Sequence, residues 1–430
     1  MKSEVMLKKA HFKIKIGRLN DAINIYKKIL RKTPNNFNAL FMLGTIYAKQ
    51  NNFTEAIRYL EKAVEINPEF PDLQNNLGNV YKAVGDIERA KLCYMHCLRL
   101  DPNHASAHHG LGTIYSDDTK EQQKALEYFR RALSLDPSIA EAHFGYGAIL
   151  ITLGNPEGLK HLEHAYLLNP SQPGLLNKLG IGYFKFGKTQ DAIVRLKAAL
   201  KQDPDDNEVK YFLTIAEGRK PDKELEEQYV EEIFNKFSGG FEQHLVERLG
   251  YKIPTISREM ILQIYGSDRK FMHMVDLGCG TGLGGHAFRD CTEQLTGIDL
   301  SEKMLQEAAR KNVYDRLLHG EVITVLEKLD DFFDFFLAAD MIVYFQELEA
   351  LFESIRKKSA PGALLVFSTE SYDDHEDFII RESGRIAHNS RYIHRLADSA
   401  NIKIVAEQRL PLRKEHENWI EGDLYICELP

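Results

Sequence analysis

The sequence is poor in cysteine and tryptophan, carries no excess of basic charge, and contains no long apolar run. Five cysteines in 430 residues, an odd number without paired spacing, exclude a disulfide framework and point to a reducing compartment. Cys93 and Cys97 stand four apart, but no second pair or nearby histidine completes a metal site, and free cysteine usually packs as a small core residue. A net charge of -8 removes the broad positive field that grips phosphates, so nucleic acid is not an expected partner. No stretch reaches the roughly eighteen apolar residues of a membrane span. The segment Met1 to Gly17 has five lysines and no apolar run of signal-peptide length, which argues against export and for a cytoplasmic protein. The length exceeds what one core usually organises, so two parts are expected.

What is present begins with a period. Pro34, Pro68, Pro102, Pro137, Pro170 and Pro204 recur at intervals of 34, 34, 35, 33 and 34 residues, the signature of a helix-pair solenoid. The intervening segments repeat one pattern: Leu43, Gly44, Tyr47, Ala56, Leu60 and Ala63, then Leu77, Gly78, Tyr81, Ala90, Tyr94 and Cys97, with further copies around Gly112 and Gly180. Small residues fall where two helices touch, large ones fill between turns, and proline stops the second helix by removing a donor.

On these residues the first half resembles the tetratricopeptide family over roughly residues 3 to 206, with 207–218 reading as a capping helix. The resemblance implies an all-α repeat array over 1–218. The first unit departs from the pattern at Ala10 and Lys13, and the fifth puts Gly158 at the alanine position. Phe41, Asn75, Asn79, His109, Phe144, Asn177 and Phe184 are expected on the concave face, where a protein or peptide would dock. The family's lysine and arginine clamp for an acidic C-terminal peptide is largely missing. Its asparagine ladder is reduced to Asn76.

After Pro221 the pattern changes to alternating strands and helices, an arrangement that suits a doubly wound, mostly parallel sheet with ligands at the carboxyl ends of its strands. Seven strands are expected, at 271–277, 294–300, 316–319, 333–341, 362–370, 402–410 and 423–429. The first ends in DLGCGTG, which places Asp276, Gly278, Cys279, Gly280 and Gly282 in the turn before the next helix; the second ends in GIDLS with Asp299. Glycines allow close backbone approach, and an acid at the second strand can accept ribose hydroxyls. Spacing alone leaves the nucleotide open. An acid opening the turn would repel a pyrophosphate, and no Tyr-x-x-x-Lys pair supports a short-chain dehydrogenase.

The wording of this turn resembles class I methyltransferases, and SEKML at 301–305, YDRLLHGE at 314–321, LAADMIVYF at 337–345, LLVFSTE at 364–370 and SGRIAHNSRYI at 383–393 resemble a repeat-containing bacterial branch of that family. The resemblance implies a Rossmann-like catalytic domain over 219–430 that uses S-adenosyl-L-methionine. It implies that Asp299 holds the ribose, Glu321 the adenine amino group, Leu300 and Val322 the adenine faces, and the backbone of Ala338 and Ala339 the methionine ammonium, with Met304 a further contact. A helical stretch at about 222–252, interrupted by Gly239 and Gly240 and carrying Tyr229, Phe237, Phe241 and His244, is either a lid or a helix packed on the sheet edge. Asp340, Tyr344, Glu370 and His388 are the acid/base candidates, with His388 on a loop. Arg385 and Arg391 are either anion-recognising or solvated. No metal is implied. Two alternatives to methyl transfer onto a recruited protein remain, a scaffold that binds the cofactor without turnover and a small-molecule methyltransferase.

Overall fold

A computed structural model describes residues 2–116, 121–237, 242, 245–246, 249–381, 383–415 and 418–430. The chain divides into two compact units, Met1–Leu175 and Leu176–Pro430. The first is a stack of helix pairs: α1 (Lys2–Lys15) with α2 (Leu19–Lys32), α3 (Phe37–Lys49) with α4 (Phe53–Ile66), α5 (Pro71–Ala83) with α6 (Ile87–Leu100), α7 (Ala105–Ser116) with α8 (Gln122–Leu135), and α9 (Ala140–Thr152) with α10 (Glu157–Leu168). Each second helix ends two residues before one of the periodic prolines. Asn36, Asn52 and Asp86 cap helix starts by accepting from backbone N–H groups.

The glycine of each pair has a packing cause. A Cβ on Gly112 would sit 2.7 Å from the Phe129 ring, which is fully buried on the partner helix. In the irregular fifth pair, a Cβ on Gly158 would meet the Gly147 carbonyl at 2.6 Å, so the alanine of other repeats does not fit there. Two expectations for the concave face need correction. Asn75 is buried rather than presented to solvent, because α5 is flanked on that side by α3 and α7. Asn79 is exposed, yet its Oδ1 already accepts from the Tyr94 hydroxyl at 2.6 Å. Phe41 is half-buried against Phe37 and Phe70, and Phe144 is half-buried.

The second unit opens with α11 (Leu175–Lys185), α12 (Thr189–Gln202), α13 (Asn207–Ala216) and α14 (Lys223–Phe237). The compact division therefore falls earlier than the residue 218 expected from the end of the repeats. The reason is aromatic packing across the linker: Tyr211 of α13 stacks on Tyr229 of α14 with ring centroids 3.9 Å apart, Phe212 meets the same ring edge-on, and the Tyr211 hydroxyl donates to the Gly384 carbonyl at 3.1 Å. Asn207 donates to Glu232 at 2.7 Å. Asn177, expected in the groove, donates to Asp206 instead.

Among the described residues the sheet has nine strands: β1 (Phe271–Leu277), β2 (Thr292–Asp299), β3 (Arg316–His319), β4 (Phe333–Ala338), β5 (Ser359–Tyr372), β6 (Phe378–Ile380), β7 (Ile386–Asn389), β8 (Lys403–Glu415) and β9 (Asn418–Glu428). β3, β2, β1, β4 and β5 run parallel in that order, β9 lies antiparallel to β5, and β8 pairs with β9. These are the seven expected strands. The two short additions, β6 and β7, extend the carboxyl end of β5, where Glu370, Ser371 and Tyr372 pair with Ala387, His388 and Asn389. Successive residues of the central strands serve opposite cores: Val275 and Phe336 face one cluster, Met274 and Phe335 the other. No described helix is long and apolar enough to cross a membrane.

A chain beginning at residue 176 keeps the aromatic partners of α14, and one beginning at residue 220 loses them. The longer fragment is expected to melt several degrees above the shorter one in calorimetry; equal melting temperatures would show that the Tyr211–Tyr229 contact contributes nothing.

Candidate functional site

β1 delivers Asp276 to the carboxyl edge of the sheet, and the chain must then reverse into the helix Leu283–Phe288. Three glycines make the reversal at positive φ, Gly278 at 67°, Gly280 at 52° and Gly282 at 91°, a region that side-chain-bearing residues adopt only at a cost. A Cβ on Gly278 would lie 2.6 Å from Met341 Cγ, whereas Gly280 faces open space. The Gly280 N–H donates to Asp299 Oδ2 and the Ser301 N–H to Asp299 Oδ1, both at 2.8 Å. One carboxylate thereby ties the turn to the end of β2.

The strand ends enclose a cavity of about 500 Å³, the size of a small-molecule site. Asp276, Gly278, Cys279, Gly280, Asp299, Leu300, Glu321, Val322, Ala339, Asp340 and Tyr344 all line it. Three expected cofactor residues do not. Gly282 caps the following helix against Tyr314 and Ala308, Met304 is packed under its helix, and Ala338 is wholly in the core.

The opposite wall is α14, which spans three strand ends. Lys223 Nζ stands 3.4 Å from Glu321 after β3, Asn235 accepts from the Ser301 hydroxyl at 2.8 Å after β2, and Phe234 meets Tyr344 edge-on at 5.4 Å after β4. Gln346 Nε2 donates to Glu226 on the same helix. Gly239, Gly240, Phe241, His244 and the Phe237 side chain lie outside the described residues.

The acids here sit in unlike surroundings. Burial, and next the charge of Asp299, push Asp276 up to about 7, although the Tyr314 hydroxyl donates to it at 2.7 Å. Asp299 is also raised, by burial, with its two backbone donors opposing. Glu321 goes the other way: burial would raise it, but Thr324, Ile323 and Lys223 together hold it below the usual carboxylate range. Its oxygens cap the helix Val322–Lys328.

Behind the cavity Arg385 joins three of the acid/base candidates. Its Nε donates to Glu370 at 2.7 Å, Nη1 to the Tyr344 hydroxyl at 2.7 Å, and Nη2 to Asp340. Glu370 is fully buried and also takes Arg413 at 2.8 Å and Arg381 at 3.0 Å. Burial would raise Glu370, and the arginines hold it below its ordinary value. Asp340 occupies the left-handed region at φ 60° and its N–H donates to Ser368. Arg385 is thus largely enclosed rather than a solvated surface charge, and each of its three nitrogens donates to one of this chain's own groups. Arg391 is exposed.

His388 requires a correction. It lies in β7 rather than on a loop, is wholly buried, is pushed down to about 4 by that burial, and does not line the cavity. A neutral, enclosed imidazole cannot reach an acceptor there. The sequence reading missed Glu226 and Gln346, which come from separate segments and show no local motif.

A methyltransferase-domain family model matches residues 275–367, and tetratricopeptide-repeat models match residues 25–58, 44–85, 71–104 and 105–139. The chain thus carries segments that match tetratricopeptide repeats and, after them, a segment that matches a methyltransferase domain. That domain is similar to the malonyl-[acyl-carrier protein] O-methyltransferase of Erwinia pyrifoliae, 33% identical over 98 residues, which are 23% of this chain and 37% of that protein. The repeats are similar to the anaphase-promoting complex subunit CDC16 of Saccharomyces cerevisiae, 31% identical over 106 residues, 23% of this chain and 12% of that protein. Among solved structures, the N-methyltransferase NodS from Bradyrhizobium japonicum aligns with 42% of this chain and 89% of its own, at 17% identity and a TM-score of 0.34. The chain spans from about a tenth to about half of the length of the curated relatives it matches.

Replacing Arg385 by Leu would strand Glu370 and Asp340 near the methyltransferase core. The expected cost is about 3–5 kcal/mol of unfolding free energy in denaturant titrations. A loss under about 1 kcal/mol would mean that Arg381 and Arg413 neutralise Glu370 unaided.

Proposed function

We propose that the second unit transfers a methyl group from S-adenosylmethionine to a protein or peptide acceptor that docks on the repeats. The observation that carries this reading is the pair of buried acids, Asp276 and Asp299, beside a glycine turn whose backbone approaches the cavity. A ligand with an ammonium and a sulfonium gains from both carboxylates, whereas a pyrophosphate would be repelled. The fit extends to the cradle: Gly278 has no room for a Cβ, and Gly280 leaves space where a ligand would lie.

In this reading Asp299 accepts from the ribose hydroxyls while its backbone donors fix its plane, Leu300 and Val322 flank the adenine, and Asp276 with the Ala339 backbone receives the ammonium. Glu321 orients the adenine end while capping its own helix. The bound donor supplies an electrophilic methyl group. The remaining work is positioning and exclusion of water, for which α14 already spans the strand ends. The repeats support a protein partner by their family character; Phe41, Asn79 and Phe144 offer aromatic and amide surface suited to an extended peptide. Covalent linkage to the catalytic domain raises the effective concentration of a docked acceptor.

Calorimetry tests the cofactor. Asp299→Ala is expected to weaken S-adenosylmethionine binding by about 1–3 kcal/mol, and binding of NADH in place of the methyl donor would overturn the assignment. A pH dependence follows from Asp276. Its proton, held up to about 7 by burial, must leave before the carboxylate can pair with a cation. Donor affinity should therefore rise as pH increases through roughly 6 to 8, with proton release, and Asp276→Asn should flatten the rise. Removal of residues 1–175 should raise KM for a macromolecular acceptor while donor affinity stays unchanged; equal KM values would point to a small-molecule acceptor.

A further inference from the structure

Glu226 and Gln346 form a pair that the cofactor reading does not use. Both line the cavity, Glu226 from α14 and Gln346 from the segment that follows β4. Gln346 Nε2 donates to Glu226 Oε1, which fixes the amide so that its Oε1 points elsewhere. That oxygen is buried and has no hydrogen-bond partner among the described residues, on a side chain that is 6% exposed. A buried carbonyl oxygen without a donor is costly, and a ligand N–H or O–H that reaches it from the cavity wall would satisfy it.

The charge around it narrows the choice. Eight of the described lining residues are carboxylates and two are lysines. Both lysines are already paired, Lys220 with Glu347 at 2.7 Å and Lys223 with Glu321 at 3.4 Å. Arg385, behind the wall, is already paired with Glu370 and Asp340. An anionic acceptor would therefore enter a negative cavity with no described cation left to meet it, while an ammonium would be drawn in. The edge-on Phe234–Tyr344 pair adds aromatic surface of the kind that attracts cations.

We propose that the methyl acceptor is an amine, received as its ammonium by Gln346 Oε1, and that Glu226 takes the proton the nitrogen must lose before it can attack. This rests on the methyl-transfer reading above and names the substrate class for the same cavity. The ammonium passes one N–H proton to a Glu226 oxygen, freeing its lone pair. The nitrogen then forms a bond to the methyl carbon as the carbon–sulfur bond breaks; the electron pair goes to sulfur, leaving a neutral thioether. The methylated nitrogen, cationic again, sheds a proton to water. The other candidates are unsuited to the proton step. Protonating Asp340 would strand Arg385, the Tyr344 oxygen already accepts from that arginine, and His388 is enclosed.

The surroundings of Glu226 support this role. Burial and the neighbouring acids Asp222, Glu227 and Glu347 push it up to about 7 against Lys220, and Tyr211 of α13 is near enough to feel its charge. It can hold a proton or release it near neutrality.

Two measurements on the full-length protein test the proposal. The first incubates it with methyl-labelled donor and a lysate, then treats the labelled fraction with mild alkali. Amine-bound label survives; release of volatile methanol would identify a carboxyl ester and overturn the amine class. The second compares sinefungin, the donor analogue with an amine in place of the methylated sulfur, with the demethylated product by calorimetry at pH 6 and pH 8. Glu226→Gln should reduce sinefungin affinity about tenfold and bring its rise with pH down to the smaller rise that Asp276 gives the demethylated product, whose own affinity changes less than about twofold. An equal change for both ligands, or none, would remove Glu226 from the proton step while leaving the cofactor assignment intact. If neither ligand binds the unaltered protein, the methyltransferase reading fails and the proposal with it.

Discussion

The approach of the glycine turn to the end of β2 governs the catalytic half. Asp299 holds both sides of that junction, accepting one N–H from the turn and one from Ser301. Because the carboxylate is almost fully enclosed, these two donors are what allow it to remain there as an acceptor of further hydrogen bonds. The left-handed backbone of Gly278, Gly280 and Gly282 follows from the same closeness, since a wider turn would separate Gly280 from Asp299. Asp276 beneath the turn is packed so tightly that a Cβ on Gly284 would meet its Oδ2 at 2.4 Å. The cavity inherits its acid lining from this junction.

Opposite that junction, α14 converts an open sheet edge into an enclosed chamber, and its contacts are unlike one another. Near its start it makes an ion pair with Glu321 and, through Glu226, an amide contact with Gln346; farther along it makes an aromatic contact with Tyr344 and a hydrogen bond with Ser301. Polar contacts of this kind, partly open to water, are individually weak, whereas the stacked Tyr211 and Tyr229 on the outer side of the helix are buried and apolar. The helix is held more firmly by α13 than by the chamber it covers.

The features legible in the sequence are those whose cause is local. A proline two residues past the end of a helix acts on its own backbone, so the six prolines mark the second helices directly. The glycine turn and its acids are contiguous, and nine of the twelve residues named from them and from the family likeness do line the cavity. The illegible features depend on distant partners. Asn75 is enclosed by neighbouring helices that its own helical pattern does not reveal. Arg385 reads equally as an anion-recognising or a solvated charge until Asp340, Tyr344 and Glu370 converge on it from two other strand ends. His388 sits in a strand of four residues, too short for alternation to appear. Glu226 looks like one more acid on an amphipathic helix, and only the fold sets Gln346 beside it.

The hydrogen bond from Tyr211 to the Gly384 carbonyl spans 173 positions of chain, and this affects how the protein is made. Helical repeats complete their contacts within a few dozen residues and can form while the ribosome is still working, but α13 cannot finish its packing until the strand segment near Gly384 has emerged. During synthesis Tyr229 can therefore stack on the Tyr211 ring soon after α13 is made, while the hydroxyl of the same ring waits well over a hundred codons for its acceptor.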